Sequence, residues 1–149
     1  MNPSSLELRW RVRSGGGGRT ERRYLDFLVD GVSLYDELRV GDQVTPLGCW
    51  SPDSEREHIQ QLLSASGRVP LYVCAECGDL GCGAITALVE RAPDGFVWRD
   101  FAFENNHDAS ITDTESYRAV GPFVFDKTEY WRVLNERATS LSASSRLPR

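Results

Sequence analysis

Ala84-Ile-Thr-Ala-Leu-Val-Glu-Arg-Ala-Pro-Asp-Gly-Phe-Val-Trp-Arg-Asp-Phe-Ala-Phe-Glu104 decides the fold. Two runs rich in Val, Ile, Thr, Phe and Trp flank the turn cluster Ala92-Pro-Asp-Gly95, which makes residues 84–91 and 96–104 a β-hairpin. In its second strand Val97, Phe101 and Phe103 stand against Trp98, Asp100 and Glu104, so both faces carry aromatic bulk. Such a strand is expected to be covered on both sides, by a helix on one of them.

Working outward, residues 69–73 read as a strand in which Pro70 is tolerable only at the start or on an edge. Upstream of it, Ser51-Pro52-Asp53 is an N-cap followed by proline at the first helical position. Ile59, Leu62 and Leu63 then repeat at helical spacing. At the start of the chain Leu6, Leu8, Trp10 and Val12 alternate with Glu7, Arg9, Arg11 and Arg13. This is a half-buried strand with its arginines facing solvent. Gly15 to Gly18 form the tip of a hairpin whose return strand carries Leu25, Phe27 and Val29. Asp30-Gly31 then turns the chain into a short strand over 32–35. At the other end Gly121-Pro-Phe-Val-Phe-Asp126 reads as an edge strand delivered into a helix. Asp126 is the helix cap, and Tyr130, Val133, Leu134 and Ala138 lie at helical positions. The expectation is one α+β domain over residues 1–139, mainly an antiparallel β-sheet of about five to seven strands with two helices. A serine-rich flexible tail is expected over 140–149.

At 149 residues the chain has the length of one ordinary domain, and no apolar run approaches the roughly 20 residues of a membrane span. The polar N-terminus Met1-Asn-Pro-Ser-Ser lacks the pattern of a secretory signal, which predicts a cytoplasmic protein. Net charge is −5 and uneven. Through Arg23 six arginines face two glutamates, and the remainder is acidic. An acidic body argues against general nucleic-acid binding and suits docking to a protein partner with a basic surface.

The chemistry is concentrated in Cys74-Ala-Glu-Cys77-Gly-Asp-Leu-Gly-Cys82-Gly. A C-x-x-C-G turn supplies two zinc ligands whose sulfurs also accept backbone amides, and Cys82 adds a third. A compact knuckle would carry its fourth cysteine after four intervening residues, where this chain has Ala87. The fourth ligand must therefore come from afar, with Cys49, His107 and His58 as candidates in that order. His58, one helical turn from Leu62, is expected at the surface. The same C-x-x-C pair, Cys74 and Cys77, can instead cycle between dithiol and disulfide. Against this, the motif leads into a loop and strand, not a helix N-terminus, and Glu76 and Asp79 would raise a nearby thiol's pKa. In a third reading the thiols are core filler at a bulged turn.

Glu104-Asn-Asn-His107-Asp108 collects polar groups after a strand. It reads as turn chemistry, with a His107–Asp100 or His107–Asp108 base dyad as the alternative. The aromatics Trp98, Phe101, Phe103, Phe123 and Phe125 read as core. No complete catalytic constellation and no dinucleotide fingerprint is present, so whether the protein is an enzyme is left open. The blocks Cys74-x-x-Cys-Gly-Asp-Leu-Gly-Cys-Gly, Trp98-Arg-Asp-Phe, Glu104-Asn-Asn and Gly121-Pro-Phe-Val-Phe-Asp126 resemble an uncharacterised group of small soluble bacterial proteins, some of which carry an oxidoreductase label. The resemblance spans residues 71–130. It implies a bacterial cytosolic origin and brings no substrate, cofactor or catalytic residue. The combined expectation is a binding or regulatory module for a protein or small ligand, built around a structural cysteine loop that can hold zinc. The alternative is a thiol-disulfide oxidoreductase.

Overall fold

The computed structural model describes residues 2–65, 67–78, 82–105 and 112–146, with side chains in the last segment through Leu141. The hairpin of the opening stretch is β6 (Ala84–Ala92) and β7 (Gly95–Glu104), antiparallel, with Ala92 opposite Gly95. Gly95 also lies against the next strand. A Cβ there would run into the carbonyl of Phe125, so the close approach requires glycine.

Around this hairpin the larger sheet assembles in the order β4 (Gln43–Val44), β5 (Gly67–Cys74), β6, β7, β8 (Thr112–Asp113). The far edge of β7 is shared. β8 pairs with Phe103 and Glu104, and β9 (Phe123–Asp126) pairs with residues 95–98. β4 reaches only Val73 and Cys74 of β5, so Pro70 sits where β5 has no neighbour on that side and its missing N–H costs nothing. A second antiparallel sheet holds β1 (Leu6–Arg13), β2 (Arg22–Val29) and β3 (Val32–Ser33). The α+β, mainly antiparallel expectation holds, but with two sheets in place of one. They are joined where the Leu25 amide donates to the Leu47 carbonyl at 2.8 Å and the Thr45 hydroxyl to the Leu25 carbonyl at 2.6 Å.

Two expected helices are present with their caps. α2 (Pro52–Ser64) starts with the Ser54 amide donating to Ser51 Oγ at 3.2 Å. α3 (Lys127–Arg146) starts with the Glu129 amide donating to Asp126 Oδ2 at 3.0 Å. The third, α1 (Leu34–Leu38), occupies part of the stretch read as strand. Ser33 caps it by accepting from the Asp36 amide, and Leu34 and Leu38, four residues apart, enter the core together. α3 also runs past residue 139, where a tail was expected, because Leu141 is buried against the core one turn further on. Among the described residues no helix is long and apolar enough to cross a membrane.

A bulge in β7 builds the core. Two residues, Asp100 and Phe101, stand opposite the single Ala87 of β6, and Asp100 adopts a left-handed φ of 52°. Strict alternation would place Trp98 and Phe101, three residues apart, on opposite faces; the bulge shifts the phase between them, and both are fully buried. Trp98 packs edge-on to Phe27 and Phe125 with centroids 5.1 and 5.0 Å away. Its indole N–H donates to Tyr130 Oη at 3.1 Å, and Tyr130 donates to the Leu62 carbonyl at 2.7 Å. One tryptophan thus ties β7 to both long helices. The aromatic series belongs to this core, with Phe103 and Phe123 packed at its margin.

The β1 alternation breaks at its end. Val12 is 56% exposed and Arg13 only 7%, the reverse of the expected faces. Arg13 goes inward because its guanidinium meets acceptors there. Nε and Nη2 donate to Asp42 at 3.0 and 2.9 Å, and Nη1 donates to Glu76 Oε1 at 2.7 Å and to the Thr20 carbonyl at 2.6 Å. A buried charge is tolerated when it is paired and fully hydrogen-bonded in this way.

Candidate metal centre

β5 ends at Cys74, and the chain turns back at once: the Gly78 amide donates to the Cys74 carbonyl at 2.9 Å, with Gly78 at a left-handed φ of 68°. Inside this turn the amides of Cys77 and Glu76 reach the Cys74 sulfur, the pattern expected of a C-x-x-C ligand turn. Cys82 returns just before β6, and its sulfur lies 3.3 Å from that of Cys77. All three sulfurs, Cys74, Cys77 and Cys82, lie within 4.8 Å of one another, close enough to hold a metal ion. Tetrahedral zinc with Zn–S bonds of about 2.3 Å separates its sulfurs by about 3.8 Å, so small rotations bring these three to that spacing. None of the four cysteines is in a disulfide.

The turn is braced from the first hairpin. The Glu76 carboxylate accepts from Arg13, from the Thr20 amide at 2.8 Å and from the Thr20 hydroxyl at 2.8 Å. The Ala75 carbonyl accepts from Arg22 Nε at 2.8 Å. Gln43, opposite Cys74 in the sheet, donates through Nε2 to the Gly83 carbonyl at 2.8 Å and so holds the return of the loop. Trp50 lies over Gly78, where an added Cβ would stand 3.2 Å from the indole ring. This brace was not visible in the sequence. Arg13 continues the regular polar alternation of β1, so nothing local marks it as turned inward.

Glu76 was expected to raise the thiols, but its charge is taken up elsewhere: the Thr20 amide, Arg13 and the Thr20 hydroxyl hold its carboxyl down at about 2. Burial raises the Cys74 thiol, yet the amides of Cys77 and Glu76 and the neighbouring thiols outweigh it, and the net shift is downward. Cys82 shows the reverse, pushed up to about 11 by hydrogen bonding to Cys77 and by the charge of its neighbours. A cluster of this kind gives up its first proton readily and its last with difficulty, and a bound cation offsets that difficulty by holding all of its ligands as thiolates.

Comparison with family models, with curated proteins and with solved structures finds no match to this chain.

Of the expected fourth ligands, Cys49 is not one of the three mutually close sulfurs. It is half-buried and packs with Trp50 against Tyr24, Val44 and Ala75, and burial pushes its thiol up. His107, with Asp108, lies outside the described residues, as does Asp79. His58 is not at the surface: it is 4% exposed, and Nε2 donates to the Pro70 carbonyl at 2.7 Å. The helical stripe Glu55, His58, Ile59 and Leu62, all buried and spaced three or four apart, was the sequence signal for this.

Burial pushes the His58 imidazole down to about 4, against the raising effects of the Pro70 carbonyl and Glu55. In the unfolded chain it titrates near 6.5, so between these values the unfolded state binds more protons. Its contribution is fully present above pH 6.5 and is lost as pH falls towards 4. We expect stability to drop by about 3 kcal/mol across this window. Urea denaturation from pH 7 to 4 measures it, and His58→Leu should remove that part of the pH dependence.

Proposed function

We propose that this chain is a binding module whose cysteine turn holds one zinc ion as an architectural element. The supporting observation is the convergence of Cys74, Cys77 and Cys82 on one point, with the turn tied by Glu76 and Ala75 to the opposite sheet. An ion there would join the end of β5 to the start of β6 and fix the surface around them. Cys49 is the first candidate for the fourth ligand and His107 the second. The acidic body suits a protein partner with a basic surface, and a pull-down whose yield falls with added salt is the matching test.

Elemental analysis of the purified protein should give one equivalent of zinc, lost in Cys74→Ser. Chelation should lower the melting temperature by roughly 5–10 °C, because a ligand that binds only the folded state stabilises it by mass action. Protein that carries no metal, and whose melting curve ignores both zinc and chelator, would refute the reading. Cobalt substitution separates the fourth ligands, since four sulfurs and three sulfurs with one nitrogen give different absorption spectra.

A second reading has one observation in its favour, the 3.3 Å contact between the exposed Cys77 and Cys82 sulfurs. A thiolate of the loop would attack a substrate disulfide and a second loop thiol would resolve the mixed disulfide. The loop then loses two electrons and two protons, and the substrate leaves as two thiols. The C-x-x-C pair, Cys74 and Cys77, or the Cys77–Cys82 pair would serve. Catalysed reduction of a small disulfide by metal-free protein, abolished in Cys77→Ser, would favour it over zinc.

A further inference from the structure

β1 is the outer strand of its sheet and pairs only with β2. Trp10 stands opposite Leu25, whose amide and carbonyl are both taken on the far side of β2, by the Leu47 carbonyl and the Thr45 hydroxyl. Trp10 therefore belongs to a non-hydrogen-bonded pair. Its own N–H and C=O point away from β2, and by alternation so do those of Leu6, Leu8 and Val12. The start of the strand agrees: the Ser5 carbonyl accepts from the Asp30 amide on the β2 side, and the Ser4 amide donates outward to the Val124 carbonyl at 2.6 Å. β9 meets the edge at Ser4. Beyond it, among the described residues, no strand or loop pairs with the outward groups of Leu6, Leu8, Trp10 and Val12. α3 leaves room beside them, since an open groove of about 400 Å³ separates Leu6, Glu7 and Leu8 from Arg132, Val133 and Glu136. An uncovered edge of this kind is a template for another strand.

We propose that β1 pairs with β1 of a second copy of this chain, antiparallel and centred on Leu8, to form a two-fold dimer. Charge selects both the occupant and the register. Glu7 and Arg9 are exposed, and neither has a hydrogen bond or ion pair among the described residues. Two-fold pairing through the outward groups can centre on Leu8, Arg9 or Trp10. Centred on Arg9 it sets that arginine against its own copy, and centred on Trp10 it sets Arg9 against Arg11 twice. Centred on Leu8 it sets Glu7 of each copy against Arg9 of the other, in the non-hydrogen-bonded positions where side chains stand closest. Leu6 and Trp10 then exchange main-chain hydrogen bonds across the axis, as Leu8 does with its own copy. Such an interface uses the same patch twice and closes on itself. It involves no residue of the cysteine turn and is independent of zinc.

Sedimentation equilibrium of the full chain over a concentration series should show a reversible doubling of mass, with a Kd of about 50 μM for so short an interface, and the same with a chelator present. Glu7→Arg and Arg9→Glu each put like charges opposite one another twice, and each should weaken the dimer by at least about tenfold. Mixed in equal amounts, the two variants should associate with one another, because every opposed pair is then of opposite sign. The double variant Glu7→Arg, Arg9→Glu should dimerise like the original chain. Both side chains are exposed and unpaired, so the melting temperature of each variant should stay close to that of the parent. A chain that is monomeric at every concentration would overturn the proposal and leave the edge to a strand of a different protein. Growth beyond a dimer, a dimer indifferent to both substitutions, or two variants that fail to associate when mixed would also overturn it.

Discussion

Arg137→Met should destabilise the protein by about 3–5 kcal/mol, the cost of stranding a buried carboxylate. Glu55, on α2, is 1% exposed and accepts from Arg137 of α3 twice, at 2.6 Å from Nε and 3.1 Å from Nη2. It also accepts from the Gly48 amide at 2.7 Å. This bidentate pair is the charged link between the two long helices, and the guanidinium also lies 5.4 Å from the Trp10 ring. Methionine keeps much of the apolar stem and removes the charge, leaving Glu55 with one backbone amide. Urea unfolding measures the loss. The double variant Glu55→Gln, Arg137→Met should recover a large part of it, because a neutral amide is far cheaper to bury than an unpaired carboxylate. A single-variant loss below about 1 kcal/mol would mean that solvent reaches Glu55 and that the pair is an ordinary surface bridge.

On the zinc reading proposed above, Glu76→Ala should weaken binding of the ion by about 10- to 100-fold, the effect expected when a group that orients the ligand turn is removed. Glu76 sits between two of the candidate ligands and clamps Thr20 and Arg13 of the other hairpin, while Asp42 holds the same arginine without touching the turn. Asp42→Ala should therefore leave zinc affinity nearly unchanged, even though both substitutions deprive Arg13 of a partner. Competition with a chromophoric chelator reads the two constants. Equal effects from the two variants would show that the arginine network supports the fold but does not orient the sulfurs. The brace should also survive mild acid. The Glu76 carboxyl is held down at about 2 against an ordinary 4.5, so its contribution is present above 4.5 and is lost only as pH falls towards 2.

The sequence made the local devices legible. Asp126 and Ser51 announced their helices because a cap needs only a side chain and an amide three residues on. Ala92-Pro-Asp-Gly95 announced its hairpin because turn geometry is a property of adjacent residues. Ser33-Leu-Tyr-Asp36 carried the same kind of signal for α1, but it was masked by β-forming neighbours that suit a strand as well as a short helix. The cysteine spacing likewise announced that Cys74 and Cys77 share one backbone turn, which the structure shows with the Cys82 sulfur beside them.

What could not be read required partners distant in the chain. Arg13 points inward because Glu76, 63 residues away, waits there. His58 is buried because the Pro70 carbonyl and the body of the sheet cover it, and Asp100 takes a left-handed conformation because the core gains both Trp98 and Phe101. Residue order alone determined where turns, caps and thiols occur, since those depend on interactions within a few residues. The placement of charge and imidazole in the interior, and hence the brace behind the sulfurs, was decided by tertiary structure. A polar group can leave water only where another element supplies the matching hydrogen bond.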